Sequence, residues 1–223
     1  MNRKRIIKRK GKFTILGERN SGTNYLEKII KNNYHLDITW EYGWKHFFGF
    51  SDYSNQENVY FFGIVRNFND WANSTFQKPY HLQRDLRKSP ENYLNLPFWS
   101  YYDEYRGPNS PEGEEITEDR NMYTKERYKN IFESRETKLK FLIDEMPKKV
   151  NNYILIRYED LLENFDETMI NIEETLGLTR KNKELINFPK PNSSLSEVIT
   201  KDMILNNENY KPVYEPILYP NFC

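Results

Sequence analysis

FTILGERNSGTNYLEKII, residues 13–30, predicts a strand, a tight loop and a helix in direct succession. The apolar, β-prone run that begins at Phe13 stops at Gly17, and a short polar loop with a second glycine, Gly22, follows. After the loop, apolar side chains recur at helical spacing at Tyr25, Leu26, Ile29 and Ile30. Such a loop directs several backbone N–H groups at one point beside the positive end of a helix dipole, so it predicts an anion site.

The side chains of this loop add donors to the predicted anion site. Arg19 supplies a full charge, and polar groups come from Ser21, Thr23 and Asn24. The spacing differs from a Walker A motif, because the second glycine is followed directly by Thr23, without the lysine that reaches the β- and γ-phosphates. The sequence therefore disfavours ATP or GTP hydrolysis, and an ordinary strand–helix turn with a polar cap is the competing interpretation.

A second polar constellation follows VYFFGIV, residues 59–65, a nearly continuous apolar run that is typical of a buried parallel strand. Arg66 stands where this strand ends, and Ser74 lies eight residues further on, in the predicted helix. Because ligand groups gather at the carboxyl ends of strands in open α/β sheets, these two side chains can clamp one phosphate from two sides. In the competing interpretation, Arg66 pairs with Asp70 and Ser74 is an ordinary helix residue.

A third segment, NYILIRYEDLL at residues 152–162, predicts another buried strand that runs into a helix beginning near Tyr158. The apolar spacing continues this helix through Met169, Ile172 and Leu176, and Gly177 ends it.

In this order, the three segments resemble the family of sulfotransferases that use PAPS (3′-phosphoadenosine 5′-phosphosulfate). The loop resembles the family's 5′-phosphosulfate loop, the interval from Arg66 to Ser74 its 3′-phosphate motif, and Tyr158 to Leu161 the Tyr-Glu-Asp-Leu that ends a later strand. The resemblance implies one α/β domain over residues 1–223, P-loop-NTPase-like, with a mainly parallel central sheet flanked by helices. It implies an enzyme that moves a sulfuryl group from PAPS to an acceptor hydroxyl, with PAP as the product.

The resemblance also assigns binding residues. The 5′-phosphosulfate would be held by Arg19, Asn20, Ser21, Gly22, Thr23 and Asn24. The 3′-phosphate would be held by Arg66 and Ser74, and the adenine would pack near Tyr25 and Tyr158. Asn20 stands where the family's loop usually has its catalytic Lys or Arg, which leaves open the residue that replaces this cation. Together with the missing Arg-Lys-Gly segment near the C-terminus, this departure is nearer to carbohydrate-type enzymes, so we expect a carbohydrate hydroxyl as acceptor.

Sulfuryl transfer needs a base for the acceptor proton and cations or N–H donors for the charge on the leaving oxygen. Of the three histidines, His46 lies between the two phosphate motifs, where cytosolic family members place a Lys-x-His whose histidine is the base. We expect His46 as the base, with Lys45 and Arg19 as the catalytic cations; a packed, uncharged histidine is the competing interpretation. The rival bases are Glu18 and Glu41. The chemistry requires no metal, and the sequence suggests no metal site.

Composition limits the classes of partner. The formal net charge is zero, so no global attraction to nucleic acid is expected, and the basic lead-in at residues 1–12 is interpreted as a solvated tail. The sequence shows no signal peptide and no apolar run of membrane-spanning length, and its single cysteine excludes an intrachain disulfide. We therefore expect a cytoplasmic enzyme with a small-molecule or glycan acceptor, and neither a nucleic-acid nor a membrane partner.

Residues 77–150 differ from the flanking segments and are interpreted as an insertion that covers the site. They contain a turn-rich loop at residues 107–113 and an amphipathic pattern from Tyr123 to Met146, which predicts a helix ended by Pro147. The proline-rich tail predicts an extended wrap with one short helix near residues 194–205. Two other functions stay open: a non-catalytic nucleotide-binding or scaffold protein, which Asn20 makes conceivable, and a nucleotide kinase, which the missing Walker lysine disfavours.

Overall fold

Four parallel strands form the central sheet of the computed structural model, which describes residues 11–102, 113–190 and 195–222. The strands are β1 (Gly11–Gly17), β2 (Leu36–Ile38), β3 (Val59–Val65) and β4 (Tyr153–Arg157), hydrogen-bonded in the order β2-β1-β3-β4. The predicted α/β class with a parallel central sheet is confirmed. The basic lead-in up to residue 10, most of the turn-rich loop and residue 194 of the predicted tail helix lie outside the described residues.

Helices connect and flank these strands. The α-helices are α1 (Thr23–Asn33), α2 (Phe68–Gln77), α3 (Pro90–Asn95), α4 (Ile131–Lys140), α5 (Met146–Lys149), α6 (Tyr158–Glu163), α7 (Phe165–Leu176), α8 (Lys201–Leu205) and α9 (Glu215–Leu218). Short 3-10 turns occupy Arg84–Arg87 and Thr117–Asp119, and a π-helical stretch, Phe141–Glu145, joins α4 to α5.

The two central strands, β1 and β3, are buried on both faces, which explains why their sequences are almost continuously apolar from Phe13 and from Val59. On one face, α1 and α7 pack against alternate strand residues such as Ile15, Phe62 and Ile64. On the other face, the intervening residues Leu16 and Phe61 contact the 42–53 segment and the region where α4 passes into the π-helical stretch. This cover buries β1 from Phe13 onward and nearly all of β3, so the alternating pattern of an exposed sheet is absent from these two strands.

Three local predictions differ from the structure. The helix predicted from Tyr123 begins instead at Ile131, because the Asn130 side chain caps it by accepting from the backbone N–H of Glu133 at 3.0 Å. Pro147 does not end this helical region. It lies in the first turn of α5, where its missing N–H removes no hydrogen bond.

The helix predicted after the fourth strand is divided, since Asn164 separates α6 from α7, although α7 ends at Gly177 as expected. The short tail helix is confined to α8 within its predicted range. In the part of the chain that the structure describes, no helix is both long and apolar enough to cross a membrane. The cytoplasmic location stays a prediction.

The order of the strands creates a crevice at one edge of the sheet. The chain leaves β1 toward β2 on one side and returns to β3 on the other side, so the connections diverge above the carboxyl ends of β1 and β3. Ligands of open α/β sheets bind at such a topological switch point. The predicted anion loop follows β1 and Arg66 follows β3, so both motifs lie at this crevice.

Candidate active site

The loop after β1 is held in a conformation that exposes its backbone N–H groups. A Cβ atom on Gly17 would lie 2.6 Å from Ile64 Cγ2 and 2.7 Å from the Ile64 carbonyl oxygen, so glycine is required where β1 passes β3. Asn20 and Gly22 both have positive φ, 62° and 96°, which is the left-handed conformation that favours asparagine and glycine. A backbone in which left-handed residues stand on either side of a residue with negative φ forms a concave nest of N–H groups, and such a nest suits an anion.

The N-terminus of α1 is open beside this nest. Its N-cap, Gly22, makes no side-chain capping hydrogen bond, and the first turn contains no acidic residue. By contrast, the neighbouring α2 is capped by Asn67, whose side chain accepts from the backbone N–H of Asp70. The first N–H groups of α1 therefore lack the side-chain partner that usually satisfies them, and they are available to a bound anion.

Gly22 also lets an aromatic ring approach the loop. A Cβ atom at this position would lie 2.2 Å from Tyr158 Cδ2, so the Tyr158 ring packs directly against the glycine. The Arg66 guanidinium carbon lies 5.3 Å from the centre of the same ring, and Tyr25 meets it edge-on at 6.1 Å. Residues that follow β1, β3 and β4 thus form one contiguous surface.

This surface is the wall of a cavity of about 410 Å³. The cavity is lined by Arg19, Asn20, Gly22, Thr23, Asn24, Tyr25, Trp44, His46, Arg66, Ser74, Lys78, Tyr80, His81 and Tyr158. Three of these residues are permanently or normally cationic, and none is acidic. In a chain whose net charge is zero, such a lining favours an anionic ligand over a cationic one.

The structure brings the predicted site residues together, with two exceptions. Ser21 is fully buried, and its hydroxyl donates to the Glu18 carbonyl oxygen at 2.7 Å, so it shapes the loop from within. Lys45 is also buried away from the cavity wall. Its ammonium donates to Asn24 Oδ1 and lies 3.5 Å from Glu27 Oε2.

Four lining residues were missed by sequence reasoning: Trp44, Lys78, Tyr80 and His81. Lys78 lies one helical turn beyond Ser74, and Trp44 is next but one to His46. Their spacing from predicted site residues was the available signal.

Arg66 retains donor capacity for a ligand. Its NH1 donates weakly to the Asn20 carbonyl oxygen at 3.4 Å, and its NH2 lies 4.0 Å from the Asp70 carboxylate. Its buried Nε has no hydrogen-bond partner. The competing pairing with Asp70 is therefore present but long, and a buried donor without a partner is costly unless a ligand satisfies it. Ser74 lines the same cavity from α2.

His46 is positioned by the end of β1. Its Nδ1 lies 2.8 Å from the Gly17 carbonyl oxygen, and the backbone N–H of Gly17 donates to the Lys45 carbonyl oxygen at 2.9 Å. Burial, followed by the positive charges of Arg19 and Lys45, lowers the pKa of His46 to about 3, against the opposing effect of the Gly17 hydrogen bond. At neutral pH the imidazole is therefore neutral. Because a carbonyl can only accept, Nδ1 carries the proton and Nε2 keeps a free lone pair.

This low pKa predicts the pH dependence of stability. Between about pH 3 and pH 6.5 the unfolded chain protonates this histidine and the folded chain does not, so acidification favours unfolding. We expect His46 to lower the free energy of unfolding by up to about 1.4 kcal/mol for each pH unit below about 6.5. Urea unfolding at about pH 7 and about pH 5.5 measures the effect, and the neutral His46→Gln variant should lose less stability between them. Equal losses in the two proteins would contradict the prediction.

Arg19 belongs to a buried ion cluster. Its NH2 donates to Asp119 Oδ2 at 2.7 Å, and Asp119 also pairs with Lys138 at 2.8 Å. Burial alone would raise the pKa of Asp119, but Arg19 and Lys138 outweigh it and lower the pKa to about 2. The partner of Arg19 is thus a carboxylate a hundred residues away. Arg19 keeps one buried donor, NH1, without a partner at the cavity wall.

The two rival bases do not line the cavity. Glu18 is buried and pairs with Arg135, which also pairs with Glu215 at 3.0 Å. Glu41 is exposed and pairs with Lys12. Of the candidate bases, only His46 has a free proton acceptor beside the anion loop, and this geometry favours it.

Comparisons with known proteins found only a distant structural similarity. No protein-family model matches the chain, and no curated protein matches it. Among solved structures, mouse sulfotransferase SULT7A1 complexed with PAP is similar to the chain with a TM-score of 0.37 and 15% identity, over 96% of this chain and 83% of that chain. At this TM-score the likeness identifies neither a family nor an activity, so a functional assignment depends on the geometry of the site.

Proposed function

We propose that this chain is a PAPS-dependent sulfotransferase that moves a sulfuryl group to a hydroxyl of a carbohydrate. One observation carries the proposal: the anion loop, Arg66, Ser74 and a neutral His46 converge on one cavity that has cationic and no acidic lining residues. The cavity volume lies within the range of about 300–1,000 Å³ that is usual for small-molecule and cofactor sites. These features match a nucleotide with two separate anionic groups better than a single phosphate.

The residues of the cavity fit the two anionic ends of PAPS. The nest at Asn20 and Gly22 and the uncapped N-terminus of α1 suit the 5′-phosphosulfate. The unpartnered Nε of Arg66, with the Ser74 hydroxyl, suits the 3′-phosphate. The edge-on pair of Tyr25 and Tyr158 supplies apolar surface for the adenine.

His46 is suited to the proton transfer of this reaction. PAPS, when bound, supplies the activated sulfuryl group, whose S–O bond to the 5′-phosphate breaks as the acceptor oxygen bonds to sulfur. His46 accepts the hydroxyl proton at Nε2 and later releases it to water, while Gly17 holds Nδ1–H throughout. A bound polyanion offsets the positive charges of Arg19 and Lys45, which raises the pKa of His46 toward the range of an efficient base.

The rim of the cavity supports a carbohydrate acceptor. Trp44 and Tyr80 line the cavity and are 43% and 46% exposed. Large exposed aromatic rings at a cavity mouth offer apolar faces with a polar edge, and the C–H-rich faces of sugar rings are complementary to such surfaces.

Cofactor choice is the first test of this proposal. We expect PAP to bind much more tightly than ADP, because only PAP offers a 3′-phosphate to Arg66. Charge-assisted hydrogen bonds are worth about 1.5–3 kcal/mol, so Arg66→Ala should weaken PAP by at least about tenfold and leave ADP nearly unchanged. Calorimetric titration of both nucleotides provides the measurement.

Arg84→Ala is the matched control, since Arg84 is exposed and does not line the cavity. Equal affinities of the wild type for PAP and ADP would overturn the assignment. Conversion of labelled PAPS to PAP and a sulfated acceptor, screened across acceptor classes, then separates an enzyme from a non-catalytic nucleotide-binding protein.

A further inference from the structure

We propose that Lys78 supplies the cation that the anion loop lacks at Asn20, by donating hydrogen bonds to the oxygens of the transferring sulfuryl group. This inference rests on the proposed sulfotransferase function and names a residue that the motifs do not contain. The inference depends on which cationic side chains around the cavity already form ion pairs or hydrogen bonds within the protein and which do not.

The two cations expected from the sequence are engaged by the protein. Arg19 is paired with Asp119, and its guanidinium carbon lies 5.7 Å from the ring centre of Phe47 and 6.0 Å from that of Phe98. Lys45 donates to Asn24 and lies beside Glu27. Burial, the larger effect, lowers the pKa of Lys45 while Glu27 opposes the shift. Neither the Lys45 ammonium nor the Arg19 NH2 can turn toward a new anion without leaving a buried partner unpaired, which is costly, so the Arg19 guanidinium has only its buried NH1 left to offer.

Lys78 is in the opposite situation. Lys78 lines the cavity together with Gly22, Thr23 and His46. It is exposed, and within the described ranges its ammonium has no hydrogen-bond or ion-pair partner. An uncommitted lysine at the wall of an anion cavity can approach a bound sulfuryl group at no cost in broken contacts. Its positive charge is then available to the sulfuryl oxygens, beside the bridging oxygen on which charge builds as PAP leaves.

Asn20 fixes the position of Lys78. The Asn20 side-chain amide donates to the Lys78 carbonyl oxygen at 3.2 Å and to Thr75 Oγ1 at 3.4 Å. The backbone N–H of Lys78 in turn donates to the Ser74 carbonyl oxygen at 2.9 Å, which ends α2. Asn20, which carries no charge, therefore ties the anion loop to the backbone of Lys78, which carries the positive charge.

The backbone conformation gives a reason for this division of roles. Asn20 has a φ of 62°, a left-handed conformation that asparagine tolerates and that strains longer side chains. A cation is more easily supplied from the neighbouring segment than from position 20 itself. Because Lys78 stays protonated and only donates hydrogen bonds, its role adds no step to the transfer.

The experiment compares two nucleotides that differ only by the sulfuryl group. Affinities of PAPS and PAP are measured by calorimetry for the wild type and for Lys78→Met, with no acceptor present. We expect Lys78→Met to weaken PAPS by about tenfold, the scale of one charge-assisted hydrogen bond, and to leave PAP within about twofold. Lys78→Arg should restore most of the PAPS affinity. Lys148→Met removes an exposed lysine of α5 that does not line the cavity, and it should change neither affinity.

The outcomes separate this inference from the proposed function. If the wild type binds neither nucleotide better than ADP, the proposed function fails and the role of Lys78 falls with it. If the wild type prefers PAP to ADP but Lys78→Met leaves PAPS unchanged, the function stands and Lys78 is a surface lysine. Equal weakening of PAPS and PAP would also overturn the inference, because it would show that Lys78 binds a phosphate common to both.

Discussion

Replacing His46 by alanine is expected to reduce turnover of PAPS by roughly two to four orders of magnitude, the usual contribution of a positioned general base. PAP affinity should hardly change, because the base contacts the acceptor rather than the nucleotide. The size of the effect follows from geometry, since the Nδ1–H of His46 is held by the Gly17 carbonyl oxygen and Nε2 is left to accept a proton. Single-turnover rates and PAP titrations on the same preparations measure the two quantities.

The acid limb of the pH profile gives a second readout of the same residue. The dependence of kcat/KM on pH reports the free enzyme, in which the pKa of His46 is lowered to about 3. We therefore expect no loss of kcat/KM near pH 6.5, where an unperturbed histidine would become protonated.

His35→Ala is the matched control, because His35 is exposed, does not line the cavity and should not affect turnover. A fully active His46→Ala enzyme would show that another group takes the proton. Glu18 and Glu41, the rivals suggested by the sequence, would then have to leave their ion pairs with Arg135 and Lys12.

Replacing Arg135 by methionine is expected to lower the free energy of unfolding by about 3–5 kcal/mol, the scale of a buried ion pair that loses one partner. Arg135 is 2% exposed and contacts both anion-binding motifs. It pairs with Glu18 at the start of the loop, and its NH2 donates to the Arg66 carbonyl oxygen at 2.6 Å. Its second carboxylate partner, Glu215, accepts from the backbone N–H of Phe68 at 2.9 Å.

Two buried carboxylates would lose their counter-charge in this variant. Burial already raises the pKa of Glu215, with Glu18 adding to the effect and Arg135 opposing it. Without Arg135, the folded-state pKa of Glu215 should rise further. A carboxyl whose folded pKa is raised gains stability as the pH falls through that pKa, so Arg135→Met should recover stability on mild acidification.

Urea unfolding of Arg135→Met at neutral and at mildly acidic pH measures both the loss of stability and its recovery on acidification. Adding Glu18→Gln and Glu215→Gln to Arg135→Met should restore much of the lost stability, since no buried charge then lacks a partner. Arg180→Met is the control: Arg180 pairs with Glu173 at 2.6 Å near the surface, and its loss should cost at most about 1 kcal/mol. If Arg135→Met lowered the free energy of unfolding by a similarly small amount, this would contradict the expectation that Arg135 holds the two anion-binding motifs together.

Much of the site follows from contiguous sequence. The strand, loop and helix at residues 13–30 were predicted from apolar spacing and two glycines, and the structure contains each of them. The run at residues 59–65 coincides with β3, and Arg66 lies at its carboxyl end. Such features depend on neighbours within a few residues, and periodicity and turn chemistry encode them locally.

The segment between α2 and β4 was predicted less well. The amphipathic pattern from Tyr123 suggested one helix, but α4 begins only at the Asn130 cap, and the helical region continues past Pro147 through a π-helical stretch. Apolar spacing alone does not distinguish a helix from a turn whose apolar residues pack against the core. The cavity-lining residues Lys78, Tyr80 and His81 were missed because they lie where α2 ends and just beyond it, and only the fold of the chain brings this stretch to the cavity.

By itself, the sequence determined where an anion-binding loop and a second basic motif occur and that parallel strands present them on one edge of a sheet. Only the tertiary structure decided which charges remain available to a ligand. Arg19 pairs with a carboxylate 100 residues away, and Glu18 pairs with an arginine 117 residues away, whereas the Lys78 ammonium has no ion-pair partner among the residues that the structure describes. Ion pairs of this kind form when distant segments are packed together and desolvated, and their strength depends on burial, which no local pattern specifies.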